Sequence, residues 1–328
     1  MACSSVLRSC GRRQPRAWAY VPAFAVLLLA ICYPPAPLKA QQGEEAMSPA
    51  AHIARNRALI ADAARLKLTP VQMGGLWAQM GSDYQDLGEF ADAEAAYTRA
   101  LSLLEPVTAG RKAYGITLGN LGLLYALTQR YDVAENCNKR SLAVMEELGD
   151  PLLIARAQGY LADVYLAMGR NKQALRHSSL AVKAFETLGS ANSNEKGSIL
   201  ISYAYASCLT SHCEDGLKAA REAMKIVRAS FAPESFPAGQ AHVALGFIEG
   251  KTGEGEAADE DLREGIRILR LQLPPSHPLM LHALETYRDF LSDQHRDVEA
   301  KRIADEQKAA TDRTCTQCTV SVHGLRVQ

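Results

Sequence analysis

The chain has no charge bias. Its 328 residues carry 36 Lys and Arg against 36 Asp and Glu. The balance is uneven along its length. Residues 1–40 hold Arg8, Arg12, Arg13, Arg16 and Lys39 and no acid, which leaves 31 basic against 36 acidic side chains in the rest. A mildly acidic body excludes nucleic acid as the expected partner, because phosphate binding needs a basic face. The sequence also lacks the signatures of catalysis. It has no Gly-rich phosphate loop with its Lys and Ser/Thr, no Gly-x-Ser-x-Gly elbow and no His-Glu-x-x-His zinc helix. Gly115, Gly119 and Gly122 lie inside a predicted helix with no strand before it, so they read as packing positions. Carboxylates are spread over predicted solvent faces. The expectation is a chain that is not an enzyme, with no cofactor, no metal and no small-molecule substrate. No long stretch is disordered in composition: 48% of residues are hydrophobic and 22% charged, as in a folded protein.

The N-terminus reads as a targeting signal. Met1 to Arg16 is basic, and Ala17 to Tyr33 is uncharged and rich in Leu, Ala and Val. Pro34, Pro35 and Pro37 follow, then Leu38, Lys39 and Ala40 before Gln41. A positive segment, an apolar segment and a small residue at the cut define a secretory signal peptide over residues 1–40, with Ala40 the last residue removed. The alternative is a retained membrane anchor. The apolar run is short of the roughly 20 residues a spanning helix needs, and Pro22 interrupts it. The expected location is the bacterial periplasm or the secreted space, with membrane contact only through an uncleaved signal.

Residues 41–73 are expected to form a linker and a capping helix. Ser48-Pro49 opens that helix, and Ile53, Leu59, Ile60 and Ala64 mark its apolar side. Beyond it the chain repeats. A small residue recurs as Gly81, Gly122, Ala162, Ala204 and Gly246, at spacings of 41, 40, 42 and 42. Arg288 falls in a sixth copy. A second small residue lies 12 further on each time: Ala93, Ala134, Ala174, Gly216, Ala258, Ala300. A third lies seven beyond that: Ala100, Ser141, Ala181, Ala223, Gly265, with Gln307 in the sixth. Met80, Leu121, Leu161, Tyr203, Leu245 and Tyr287 precede the first column. Large residues three and four apart predict helices, and the small columns mark where two helices cross closely. Units therefore start near 74, 115, 155, 197, 239 and 281 within an array over 74–311. Residues 312–328 are left as a tail after the last helix, in which Thr319 to Val322 alternates like a strand.

The first copy has Trp77, Met80, Gly81, Tyr84, Gly88, Phe90, Ala93, Tyr97 and Ala100, closed by Pro106. It resembles a tetratricopeptide repeat (TPR), whose pattern is Trp-x2-Leu-Gly-x2-Tyr, Ala-x3-Phe and a final Pro. The period exceeds the usual value of about 34. The linker Leu273-Pro274-Pro275-Ser276-His277-Pro278 is similar to that of the longer, kinesin-light-chain-like class. Departures exist: only the first unit has the Trp, and Ser207 and Glu249 stand where Tyr is expected. The resemblance implies an all-α, right-handed α-solenoid of about six antiparallel helix pairs. It further implies a protein or peptide partner held on a concave wall supplied by the first helix of each pair. Carried onto this phase, the wall places are Leu123, Leu127, Arg156, Asp163, Leu166, Ile201, Tyr205, Cys208, Leu209, Gln240, Val243, Phe247 and Lys251. The Lys and Asn clamp that some TPR domains use for a C-terminal carboxylate is missing from them. A Tyr205→Ala, Phe247→Ala variant is expected to lose the partner and keep its melting curve.

The expected function is an exported scaffold that binds a protein or peptide without catalysis. One alternative is a regulatory subunit of a separately encoded enzyme or signalling partner. Another is a thiol–disulfide or metal role for Cys315-Thr316-Gln317-Cys318, whose simplest fate in an oxidising compartment is a local disulfide. Cys208 and Cys213 flank a predicted turn and could pair.

Overall fold

The computed structural model describes residues 48–189 and 193–320. The predicted signal segment and residues 41–47 lie outside them. Fourteen α-helices and a 3-10 turn make up the described part, and no strand occurs among those residues. Helix α1 spans Pro49–Ala61 and α2 Ala63–Leu66. Six helix pairs follow: α3 Pro70–Asp86 with α4 Phe90–Leu104, α5 Arg111–Leu127 with α6 Tyr131–Leu148, α7 Pro151–Ala167 with α8 Asn171–Leu188. Then come α9 Ser193–Cys208 with α10 Cys213–Ser230, α11 Phe236–Thr252 with α12 Gly255–Gln272, and α13 Pro278–Asp293 with α14 Asp297–Val320. The first helix of each pair is called A and the second B. None of the described helices is long and apolar enough to cross a membrane.

Each A helix starts three or four residues before the expected unit start. The reason is capping, which lies upstream of the apolar columns. The Thr69 hydroxyl accepts from Gln72 N–H, and Gln72 answers on Thr69 N–H, a reciprocal box. Asp150, Ser235 and His277 cap α7, α11 and α13 in the same place, and Pro70, Pro151 and Pro278 sit in the first turn.

The helix layers differ. A helices α5, α7 and α11 are apolar nearly all round, and most of their residues are buried. Such a helix needs neighbours on several sides, and each A helix contacts its own B and the A helices before and after it. B helices bury one stripe. The first and second small columns of the B helices are fully or almost fully buried, from Ala93 and Ala100 to Ala258 and Ala300. At Gly216 a Cβ would come within 2.7 Å of the Ala204 carbonyl oxygen, so the crossing admits no side chain there. Helix α1 caps the array: Ile53 joins the core, and the Arg57 guanidinium donates to the Tyr84 hydroxyl of α3.

Two further columns emerge. Every A–B turn has one left-handed residue, seven after the first small one: Gly88, Gln129, Gly169, Ser211, Gly253 and His295. Side chains resist that backbone by about 1–2 kcal/mol. Gln129→Gly should therefore raise the urea-unfolding free energy by about 0.5–1 kcal/mol, glycine's own chain entropy offsetting part of the gain. The other column is a clamp between units. Tyr125 and Arg130 both donate to Glu94, at 3.0 and 2.7 Å. Tyr165 and Arg170 do the same to Glu135, at 3.1 and 2.8 Å. Arg296 repeats it on Asp259 at 2.8 Å, with Tyr287 at 2.9 Å. Units three and four carry Leu175 and Leu217 in place of the acid, which removes the clamp onto units four and five, where the expected Tyr is also missing. The turn of unit four is closed instead by a disulfide between Cys208 and Cys213.

The last helix is longer than expected. Helix α14 runs to Val320, so Cys315 and Cys318 lie within a helical backbone and not in a tail beyond it. The stretch Asp305 to Ala310 is made largely of good helix formers and carries the helix on. The side chains of Cys315 and Cys318, and the question of their pairing, lie outside the described residues.

Candidate functional site

Nine of the twelve predicted groove residues other than Cys208 are buried: Leu123, Leu127, Asp163, Leu166, Ile201, Tyr205, Gln240, Val243 and Phe247. Most of them fill the space between adjacent A helices. Tyr205 of α9 stacks on Phe247 of α11 with ring centroids 5.0 Å apart, and Tyr205 has no exposed surface. Truncating it opens a large cavity, so the Tyr205→Ala, Phe247→Ala variant cannot keep its melting curve. Asp163 of α7 accepts a 2.7 Å hydrogen bond from the Ser202 hydroxyl of α9. Arg156 and Glu195 pair beside it, and these groups share one narrow cleft. Lys251 is exposed and pairs with Asp293 at 2.8 Å. Leu209 is half-buried beside the disulfide turn. No group of three or more His, Cys, Asp or Glu able to hold a metal occurs among the described residues.

Burial shapes the electrostatics of this layer. It pushes the Asp163 carboxyl up to about 8, and the Ser202 hydroxyl counters only part of that. Glu249 of α11 is also raised, first by burial and then by its hydrogen bond to Asp261 of α12. Asp261 in turn meets His242 Nδ1 at 2.6 Å, so three titratable side chains form one chain of contacts.

Leu127 has a different fate. It packs on Leu279 of the sixth unit, with Phe90, Phe236 and Leu273 around them. The A–B turns of the first two units thus meet the loops that precede α11 and α13. The solenoid closes on itself within one turn. Phe90 meets His277 edge-on, centroids 5.6 Å apart. His277 Nδ1 accepts from Leu279 N–H at 3.2 Å, and its other nitrogen is left to bond the backbone of Gln85. Burial lowers this imidazole to about 4, so it is neutral at physiological pH. A cavity of about 330 Å³ opens at this seam, lined by Asp86, Leu87, Leu127, Phe236, Leu273 and His277 among others. The repeat pattern does not reveal the seam, although one signal in the sequence points to it. Phe236 and Leu273 are large apolar residues at loop ends, where polar residues are the norm.

The tetratricopeptide repeat sequence pattern matches residues 72–147. No curated protein matches the chain. Solved structures do match. The apo form of RapI superposes with a TM-score of 0.61 at 13% identity, over 85% of this chain and 94% of its own. BtubC (BKLC) from P. vanneervenii gives 0.53 at 19% identity, over 69% of this chain and 92% of its own. A Rap protein complexed with competence and sporulation factor gives 0.54 at 14% identity, over 84% of each chain. At these identities the likeness is one of fold. The chain is a TPR-like α-solenoid that carries tetratricopeptide repeats over residues 72–147.

Proposed function

We propose that the chain is an exported, non-enzymatic scaffold that binds a protein or peptide on its A-helix layer. The observation that carries this reading is how that layer is used. Its apolar residues are consumed by packing, and the groups that reach its surface are Arg156, Leu209 and Lys251, beside the acids Glu195 and Asp293. The Lys251–Asp293 pair is exposed, and such pairs contribute only about 0–1 kcal/mol, so a partner's charges can exchange into it at little cost. The complex of a Rap protein with competence and sporulation factor supports the reading, since it shows a solenoid of this fold with a bound factor. The buried predicted places, Leu123, Leu166, Ile201 and Val243 among them, then act as support beneath the contact surface.

The test is an affinity capture from the cell envelope fraction. Wild-type protein should retain a partner that an Arg156→Ala, Leu209→Ala, Lys251→Ala variant loses by about tenfold or more, as expected when a few central contacts dominate. Equal retention by the variant would overturn the assignment. Mass spectrometry of the exported protein should find Gln41 at its N-terminus. An intact Met1 on that material would contradict cleavage.

A further inference from the structure

The seam cavity carries an inference that does not depend on the partner reading. At about 330 Å³ it falls at the lower end of the range for small-molecule sites, about 300–1,000 Å³. Its walls are mainly apolar: Leu87, Leu127, Phe236, Leu273 and Leu279 come from four different units. Gln85, Asp86 and Gln272 interrupt them, and the Gln272 amide nitrogen already donates to the Glu234 carbonyl at 3.0 Å. Gln85 is buried, and its side-chain amide oxygen has no hydrogen-bond partner among the described residues. Asp86 lines the cavity at its mouth, where its side chain is exposed. No Lys or Arg lines the cavity, and His277 is committed to Leu279 N–H and to the Gln85 backbone.

Asp86 is held there at a cost from three sources. It ends α3, where the helix dipole disfavours negative charge. Asp83 lies one turn before it, and the cavity walls displace part of its water. That loss of water first and Asp83 second push its carboxyl up to about 7. The Gln85 oxygen, buried and without a donor, marks a place where a donor belongs, and the Asp86 carboxylate beside it favours a positively charged one.

We propose that this cavity binds a small organic cation: an apolar body against Leu87, Leu127, Phe236 and Leu273, with a protonated amine donating to the Asp86 carboxylate and the Gln85 amide oxygen. An ammonium carries three donors and a charge, so it satisfies both acceptors and neutralises the carboxylate. Such an occupant touches the first two units and the last two together. Its binding ties the ends of the array and strengthens the closed form.

2-Phenylethylamine is the probe, with 2-phenylethanol and phenylacetate as neutral and anionic partners of the same shape. Calorimetric titration of the full chain at pH 8.5 should give saturable binding of the amine with Kd near 1 mM, the range reached by a ligand of about nine heavy atoms. The alcohol should bind about tenfold more weakly, and the carboxylate should not bind, because its charge repeats that of Asp86. Asp86→Asn, which keeps the side-chain shape, should lose the preference for the amine. Amide exchange at Leu87 to Phe90 and at Leu273 to Leu279 should slow on binding. The Arg156→Ala, Lys251→Ala variant should bind the amine as wild type does, which separates this site from the partner surface. Equal binding of all three probes, unchanged amine binding by Asp86→Asn, or no saturable binding would each overturn the proposal.

Discussion

Replacing Asp163 by Asn stabilises the array, and the gain grows as pH rises from about 4 to 8. The carboxyl lies in the A-helix layer with one hydroxyl donor, Ser202, and burial holds its pKa at about 8. An unfolded aspartate titrates near 4, at about 3.9. Between these values the folded chain keeps a proton that the unfolded chain has released. Stability therefore falls as pH rises through the window and levels off above about 8. Below about 4 both states are protonated and the penalty vanishes. Asparagine keeps an acceptor for Ser202 and does not ionise, so the variant escapes the fall. A tenfold difference in proton affinity between the folded and unfolded chain is worth about 1.36 kcal/mol. Relaxation around a buried charge reduces the ideal sum and leaves an expected gain of about 2–4 kcal/mol at pH 8. Urea titrations followed by circular dichroism at pH 5, 6, 7 and 8 would measure it. A gap between variant and wild type that is constant over this range would show that Asp163 is not the responsible group.

Tyr205→Ala should cost about 3–5 kcal/mol, the usual range for removing a large aromatic side chain from a packed core. Tyr205 has no exposed surface and stacks on Phe247 across adjacent A helices. Unit four lacks the Tyr–Arg clamp onto unit three, since Leu175 and His212 stand where an acid and an Arg clamp other units, and it is tied there by Asp163–Ser202 and Arg156–Glu195 instead. Its disulfide closes only its own turn. The loss should therefore appear as weakened docking between the third, fourth and fifth units. Hydrogen exchange would show α9 and α11 opening together, ahead of α3 and α5. A drop below about 1 kcal/mol would mean that the aromatic pair is a surface feature and that the layer is open.

These two residues show how far the sequence can be read. The periodic columns locate all six helix pairs, because a close crossing tolerates only Gly, Ala or Ser and so leaves a mark at fixed spacing. The same columns place the starts of the A helices too late, because Thr69, Asp150, Ser235 and His277 act outside the apolar pattern. Tyr205, Phe247 and Asp163 fall on the expected helices. Whether such a side chain faces a partner or the next A helix depends on how tightly the solenoid winds, and a repeat pattern does not encode that angle. The seam is invisible for the same reason. Leu127 and Leu279 meet only after the accumulated rotation of four units. The left-handed turn residues Gln129, Ser211 and His295 are hidden because three of six turns use no glycine there.

Closure of the solenoid is the claim on which both the seam cavity and the narrow A-helix layer rest. A double-mutant cycle on Leu127→Ala and Leu279→Ala tests it most directly. The two residues lie in the second and sixth units and touch only if the array closes. A closed array predicts that the two losses of stability are not additive, with a coupling of about 0.5–3 kcal/mol. Additivity within about 0.3 kcal/mol would place the residues apart and contradict closure.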